Sequence, residues 1–184
     1  MKKVYQLSLF VILSIGFQTL HAQGKLDVNF GVGALPTFAK DKGKVLVVPL
    51  TMNATYKLTN KFSLGVYAGH SATETNRELF NDGVLSQWQN HFTTVGIRAA
   101  AHSSNQYNWE IYGGMTVSYN YSRIKMMEGD LDQMAKHMGI KSHSGKVAAS
   151  AFLGTRYAVT DKLGMYGEVG FGISILTFGV SLRL

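Results

Sequence analysis

The chain has 184 residues, of which 46% are apolar and only 16% are charged, and it contains no Cys. The absence of Cys excludes a disulfide framework, a thiolate metal site and a cysteine nucleophile. The formal net charge of +7 is not concentrated in any block of Lys and Arg, so no nucleic-acid partner is expected.

The first 22 residues have the pattern of a secretory signal peptide. Lys2 and Lys3 precede an apolar segment from Leu7 to Phe17, and the small residue Ala22 follows a short polar stretch. The sequence therefore predicts export, with cleavage after Ala22 and a mature domain at residues 23–184. No later stretch reaches the roughly 20 consecutive apolar residues that a membrane-spanning helix needs.

From residue 25 onward, apolar side chains recur at every second position, as in β-strands. In the clearest segment, from Trp109 to Ser122, odd positions are mostly apolar or aromatic and even positions are mostly polar or small. At ~3.3 Å per residue and a tilt near 40°, the steps from Trp109 to Tyr119 cover roughly 25 Å, the height of the apolar band of an outer membrane. The periodicity predicts eight strands, at residues 26–36, 45–58, 62–72, 91–102, 108–124, 146–159, 163–172 and 175–184.

The connections between these strands differ in length at the two ends. Three are tight: Thr59 to Lys61, the stretch at residues 103–107, and Thr160 to Lys162. Two are long, at residues 73–90 and 125–145. Short turns at one end and long loops at the other are typical of an all-β, eight-stranded, antiparallel up-and-down transmembrane β-barrel with its N-terminus in the periplasm.

Charged residues test the assignment of faces, because the faces were chosen from the apolar residues alone. All seven charges inside the regular strands fall on the inward face: Asp27, Lys57, Arg98, Glu110, Arg156, Glu168 and Arg183. A charge that faces lipid at mid-bilayer costs ~2 to 4 kcal/mol, which accounts for the bias. We expect Glu110 and Glu168 to pair with Arg98 and Arg156 and to help fill the lumen; a proton or ion path is the alternative.

Aromatic residues mark both ends of the outward face. They are expected to form the two aromatic girdles of a transmembrane barrel: Tyr56, Trp109, Tyr119, Tyr121 and Tyr157.

The chain resembles small outer-membrane β-barrel proteins of the porin-like or OmpA/OmpX-like class. The resemblance rests on the signal peptide, the alternating strands, the two Tyr-x-x-Thr-Asn/Asp-Lys hairpins and the last strand. That strand ends Thr177-x-Gly179-x-x-Leu182-x-Leu184, similar to the C-terminal signal of the class, although an aromatic more often stands where this chain has Leu184. The resemblance implies two partners, outer-membrane lipid and the barrel-assembly machinery.

One motif points to an enzyme. His102-Ser103-Ser104-Asn105 resembles the His-x-Ser-Asn signature of outer-membrane lipid A deacylases, in which His102 would be the base and Ser104 the nucleophile. The strand assignment places this tetrapeptide in a periplasmic turn, whereas lipid A lies in the outer leaflet. We therefore expect no catalytic residues and no enzymatic activity.

The long loops carry weaker features. His70 and His91 bracket the first of them, but two His make an incomplete metal site, and Glu128, Asp130 and Asp132 in the other lack the rest of an EF-hand pattern. Neither a metal nor a cofactor is expected. Apolar loop residues are expected to cover neighbouring surface: Leu131, Met134 and Met138 in a short amphipathic turn, and Phe80, Leu85 and Trp88 in a small loop core.

These observations favour a non-enzymatic outer-membrane barrel that acts in envelope structure or surface interaction. The alternatives are a small passive channel, a deacylase-like enzyme that modifies lipid, and a soluble lipophile carrier of the lipocalin type. The scarcity of charge on the strands disfavours the carrier.

Overall fold

The computed structural model describes residues 25–37, 44–76, 78–79, 85–103, 107–128 and 142–184. The signal-peptide prediction at residues 1–22 lies outside this part of the chain. Nine strands are present within it: β1 Leu26–Gly33, β2 Lys44–Lys57, β3 Phe62–Glu74, β4 Glu78–Leu79, β5 Leu85–His102, β6 Trp109–Glu128, β7 His143–Ala158, β8 Leu163–Gly170 and β9 Leu176–Arg183. In the part of the chain so described, no helix is long and apolar enough to cross a membrane.

Eight of the strands form a closed antiparallel barrel. Each pairs with its neighbours in sequence order, while β1 pairs with β9 and β3 pairs with β5 to complete the ring. The two-residue β4 is not part of the ring; it pairs with the first residues of β5, at the long-loop end of the barrel. In the half of the barrel near the short turns, closure gives each strand of the ring a partner on both sides, as a strand array in lipid requires. The predicted all-β, eight-stranded up-and-down barrel is confirmed.

The two faces of the wall differ as the alternation requires. On β6, Ile111, Met115 and Val117 are more than half exposed on the outside, whereas Glu110 and Thr116 are buried inside. The same pattern repeats around the ring, so the apolar side chains form the outer surface and the polar ones form the interior. This is the reverse of a soluble barrel, and it is the arrangement that a lipid environment favours.

Two tight turns are built in the same way by equivalent threonines. The hydroxyl of Thr59 accepts hydrogen bonds from the backbone N–H groups of Lys61 and Phe62, and the hydroxyl of Thr160 accepts one from Leu163. Each Thr N–H also donates to the carbonyl across the turn. The two hairpin sequences are therefore similar because each uses a Thr hydroxyl to accept hydrogen bonds from the backbone N–H groups of a short turn.

The strands beside the long loops are longer than predicted. β5 begins at Leu85 rather than at residue 91, β6 continues to Glu128 rather than to residue 124, and β7 begins at His143 rather than at residue 146. These extensions are rich in polar residues, because above the apolar band nothing requires the outward side chains to be apolar. The first strand is shorter than predicted: regular pairing ends at Gly33, beyond which Pro36 forms an isolated bridge to Ser174.

Candidate functional site

A cluster of ion pairs occupies the end of the lumen near the short turns, with Glu110 at its centre. One carboxylate oxygen of Glu110 accepts from Lys57 Nζ at 2.5 Å and contacts His102 Nδ1 at 2.8 Å, and the other accepts from Arg183 Nη2 at 3.0 Å. Arg183 also donates from Nε to Asp27 at 2.7 Å. Four strands therefore meet through one buried carboxylate, which cross-links the interior of the barrel.

A second ion pair crosses the lumen. Arg98 Nη2 on β5 donates to Glu168 Oε2 on β8 at 2.8 Å, although these strands are not neighbours in the ring. The guanidinium carbon lies 3.8 Å from the centroid of the Phe152 ring, and the Tyr112 hydroxyl donates to Glu168 at 3.3 Å. The pair and its aromatic neighbours thus form a layer of side chains across the interior.

The expectation that Arg156 pairs with Glu110 or Glu168 is wrong. Arg156 lies directly across from Glu110 in the sheet register, but its Nε donates to the hydroxyl of Ser181 at 2.8 Å, and its Nη2 has no hydrogen-bond partner. Within the described residues it forms no ion pair. The reason is geometric: both oxygens of Glu110 are already engaged, and Glu168 is engaged by Arg98.

The interior also holds a chain of contacts from Ser63 through His102 to Glu110, which no sequence motif had indicated. His102 is the last residue of β5, as the predicted strand at residues 91–102 requires, so it does not belong to the turn in which the tetrapeptide was placed. Its Nε2 lies 2.7 Å from the Ser63 hydroxyl and its Nδ1 lies 2.8 Å from Glu110. His102 has the same parity as the inward-facing Arg98, so this orientation was available from the sequence. Ser104 and Asn105 lie outside the described residues.

The arrangement of Ser63, His102 and Glu110 has the order of a hydrolase triad, but it lacks the surroundings of one. Ser63 is only 4% exposed and faces the lumen, where the adjoining cavity has a volume of about 20 Å³. That volume holds about one water molecule and no lipid chain. Glu110 also forms ion pairs with Lys57 and Arg183. Its carboxylate is therefore not dedicated to orienting His102.

Side chains close the lumen along the height that the structure describes. Above the Arg98 layer lies a second cavity of about 20 Å³, and near the long-loop end a third of about 10 Å³. Ile173, from the connection between β8 and β9, is 1% exposed and fills the interior beside Gly69. The crowded interior also requires a glycine at position 31, because a Cβ on Gly31 would overlap the Tyr166 hydroxyl.

The aromatic and C-terminal positions lie on the wall. Trp109 and Tyr157 are cross-strand partners near the short turns, with ring centroids 5.0 Å apart. Outward exposure is shared by all five aromatic positions, Tyr56, Trp109, Tyr119, Tyr121 and Tyr157. In the last strand Thr177 is buried inside, Leu182 and Leu184 are exposed outside, and a Cβ at Gly179 would overlap the backbone of β1.

The histidines and acids near the loops do not form a metal site in the described part of the chain. His70 and His91 stack on the outer wall with ring centroids 6.1 Å apart, and His70 Nδ1 lies 2.9 Å from the Thr93 hydroxyl. No group of three metal-binding side chains exists among the described residues. Several loop features of the sequence lie outside the described residues or have side chains that are not described: Phe80, Leu85, Glu128, Asp130, Leu131, Asp132, Met134 and Met138.

Comparison with known proteins identifies the fold. No family model and no curated protein sequence matches the chain. Among solved structures it is similar to Neisserial surface protein A, with a TM-score of 0.55, 13% identity and coverage of 88% of this chain and 98% of the other. It is also similar to the outer membrane protein OprG from Pseudomonas aeruginosa, with a TM-score of 0.53, 10% identity and coverage of 89% and 97%.

A designed transmembrane β-barrel is similar as well, with a TM-score of 0.51, 15% identity and coverage of 89% and 98%. At these identities the likeness concerns the fold. The closed ring, the apolar outer wall and these neighbours together show that the chain has the eight-stranded barrel fold of the small outer-membrane proteins, in agreement with the resemblance to the OmpA/OmpX-like class.

Proposed function

We propose that the chain is a non-enzymatic outer-membrane barrel whose lumen is filled by side chains and which acts in envelope structure or surface interaction. The observation that carries the proposal is the crossing of the lumen by the Arg98–Glu168 pair above the Glu110 cluster. The two cavities that adjoin this pair each have a volume of about 20 Å³. Side chains that occupy the interior in this way take the space that a channel would need. They also connect strands across the lumen. The surfaces left for interaction are the outer wall and the long-loop end.

The location of the protein follows from the same proposal. After export, the exposed C-terminal residues Leu182 and Leu184 would present the chain to the barrel-assembly machinery, and the apolar wall would enter outer-membrane lipid. Fractionation of a Gram-negative host should find the mature chain in the outer membrane, with faster gel migration before boiling than after. Recovery in the soluble periplasm with no heat-dependent shift would contradict the proposal.

A filled lumen predicts no steady ion conductance. Purified barrel, refolded into planar bilayers, should leave the membrane current at the level of the protein-free bilayer, because the side chains of Arg98, Glu168 and Phe152 cross the lumen. An Ile173→Gly variant widens only the long-loop end and should remain silent as well. Stable single-channel current steps from the wild-type protein would contradict the filled lumen and favour the alternative function, a small passive channel.

A second candidate function, hydrolysis of a lipid, is favoured by the Ser63–His102–Glu110 contacts. A fluorophosphonate reacts with an activated serine whatever the natural substrate, so it tests this candidate directly. We expect no labelling of the folded barrel, because the Ser63 hydroxyl is buried in a lumen without room for the probe. Labelling that is abolished by Ser63→Ala but not by Ser103→Ala would instead establish a serine enzyme.

A further inference from the structure

The outer wall carries a row of basic and histidine side chains above the apolar band. His91 on β5 lies directly across from Arg123 on β6, and Arg123 lies directly across from His143 on β7. Cross-strand partners share a face of the sheet, and this face is the one on which Tyr121 points outward. Lys125 follows Arg123 on the same face. We call His91, Arg123, Lys125 and His143 the rim cluster.

The positive charge of the rim cluster is not balanced on its own strands. No described acidic side chain of β5, β6 or β7 faces outward, and neither Arg123 nor Lys125 forms an ion pair within the described residues. The nearest outward acid in register is Glu74 on β3, whose two oxygens accept from Gln87 and Gln89 at 2.9 and 2.8 Å. Arg123, Lys125 and His143 are all exposed, so their donors are available to a ligand.

The height of the rim cluster corresponds to the lipid headgroups. Arg123 stands four residues beyond Tyr119 along β6, which is about 10 Å of height for a strand tilted by about 40°. Tyr121 lies between them and contacts His143, with ring centroids 6.0 Å apart. Aromatic residues mark the boundary of the hydrocarbon region. The cations therefore lie just outside it, on the side of the long loops.

An apolar groove crosses the wall beside this region, over β9, β1, β2 and β3, and reaches Thr93 on β5. It has a volume of about 660 Å³, lies between the side chains of Phe30, Met52 and Phe178, and has His70 at its edge. His70 in turn stacks on His91 of the rim cluster. The rim cluster therefore borders an apolar surface that an acyl chain would cover, which favours a lipid over a free anion as the ligand.

We propose that the rim cluster binds the phosphate of an anionic glycolipid in the outer leaflet, of the lipid A type. Arg123 and Lys125 supply permanent charge, His91 and His143 supply flanking donors, and charge-assisted hydrogen bonds to phosphate oxygens hold the headgroup at the wall. The inference rests on the proposed location in the outer membrane. It adds a specific lipid contact to a protein otherwise proposed to act through its surface.

The test compares binding of diphosphorylated lipid A and of the same lipid after enzymatic dephosphorylation, by native mass spectrometry of the purified barrel in detergent micelles. For the wild-type protein, removal of the phosphates should weaken binding. The Arg123→Gln/Lys125→Gln variant should bind the phosphorylated lipid roughly 30-fold more weakly than the wild type, about fivefold for each interfacial cation removed. It should also lose the discrimination between the two lipids.

The matched control is Lys61→Gln/Lys162→Gln, which removes two exposed cations at the opposite end of the barrel and should bind as the wild type does. Faster migration of unboiled samples verifies that each variant is folded. Equal weakening by both double variants, retained discrimination in the rim variant, or full displacement of the lipid by millimolar inorganic phosphate would overturn the proposal. Because the assay uses purified barrel, its result does not depend on where the cell delivers the chain.

Discussion

Replacement of Glu168 with Gln is expected to lower the free energy of unfolding of the barrel by about 3 to 5 kcal/mol, because it leaves a buried cation without its partner. Arg98 is 3% exposed, and Glu168 is the one carboxylate that pairs with it in the described part of the chain. The Nε atom of Arg98 already lacks a hydrogen-bond partner among the described residues. Urea titration of the barrel in vesicles, followed by gel mobility of unboiled samples, measures the loss.

A second substitution distinguishes a broken pair from a misshapen interior. Arg98→Met combined with Glu168→Gln should be more stable than Glu168→Gln alone, because it removes the unpaired charge and lets Met pack against the Phe152 ring. Arg156→Met combined with Glu168→Gln is the control, since Arg156 bonds to Ser181 and not to Glu168. Equal recovery with either partner would contradict the pairing seen across the lumen.

The face of each side chain was predictable from the sequence, whereas the partners inside the lumen were not. Alternation alone assigns Arg98, Arg156 and Glu168 to the interior, because a charge on the lipid face is costly. Which of them meet depends on the stagger of the ring, a property of all eight strands together. Arg98 and Glu168 are 70 residues apart in sequence and on strands that do not pair, so no local pattern links them.

The ends of the strands were predictable on one side only. At the short turns, turn-forming residues such as Thr59 and Thr160 indicate where a strand ends. The observed strand ends there differ from the predicted ones by at most about one residue. Toward the long loops, β5 gains residues such as Ser86 and Asn90, and β7 gains His143 and Ser144. Once a strand has left the hydrocarbon layer, hydrogen bonds of the ladder sustain it without an apolar face, and the periodic signal disappears.

The same difference between lipid and water predicts a position-dependent effect of one substitution on β6. Val117→Arg should destabilise the barrel folded in bilayers by about 2 to 4 kcal/mol, whereas Met127→Arg should destabilise it by only about 0 to 1 kcal/mol. Both side chains face outward and are about half exposed, at 54% and 51%, but Val117 lies between Ile97 and Ala149 in mid-wall and Met127 lies beyond the rim. Titration of both variants with urea in vesicles gives the two costs. Equal losses would mean that the wall between the aromatic residues does not face lipid, since in water the two arginines would be equally well solvated.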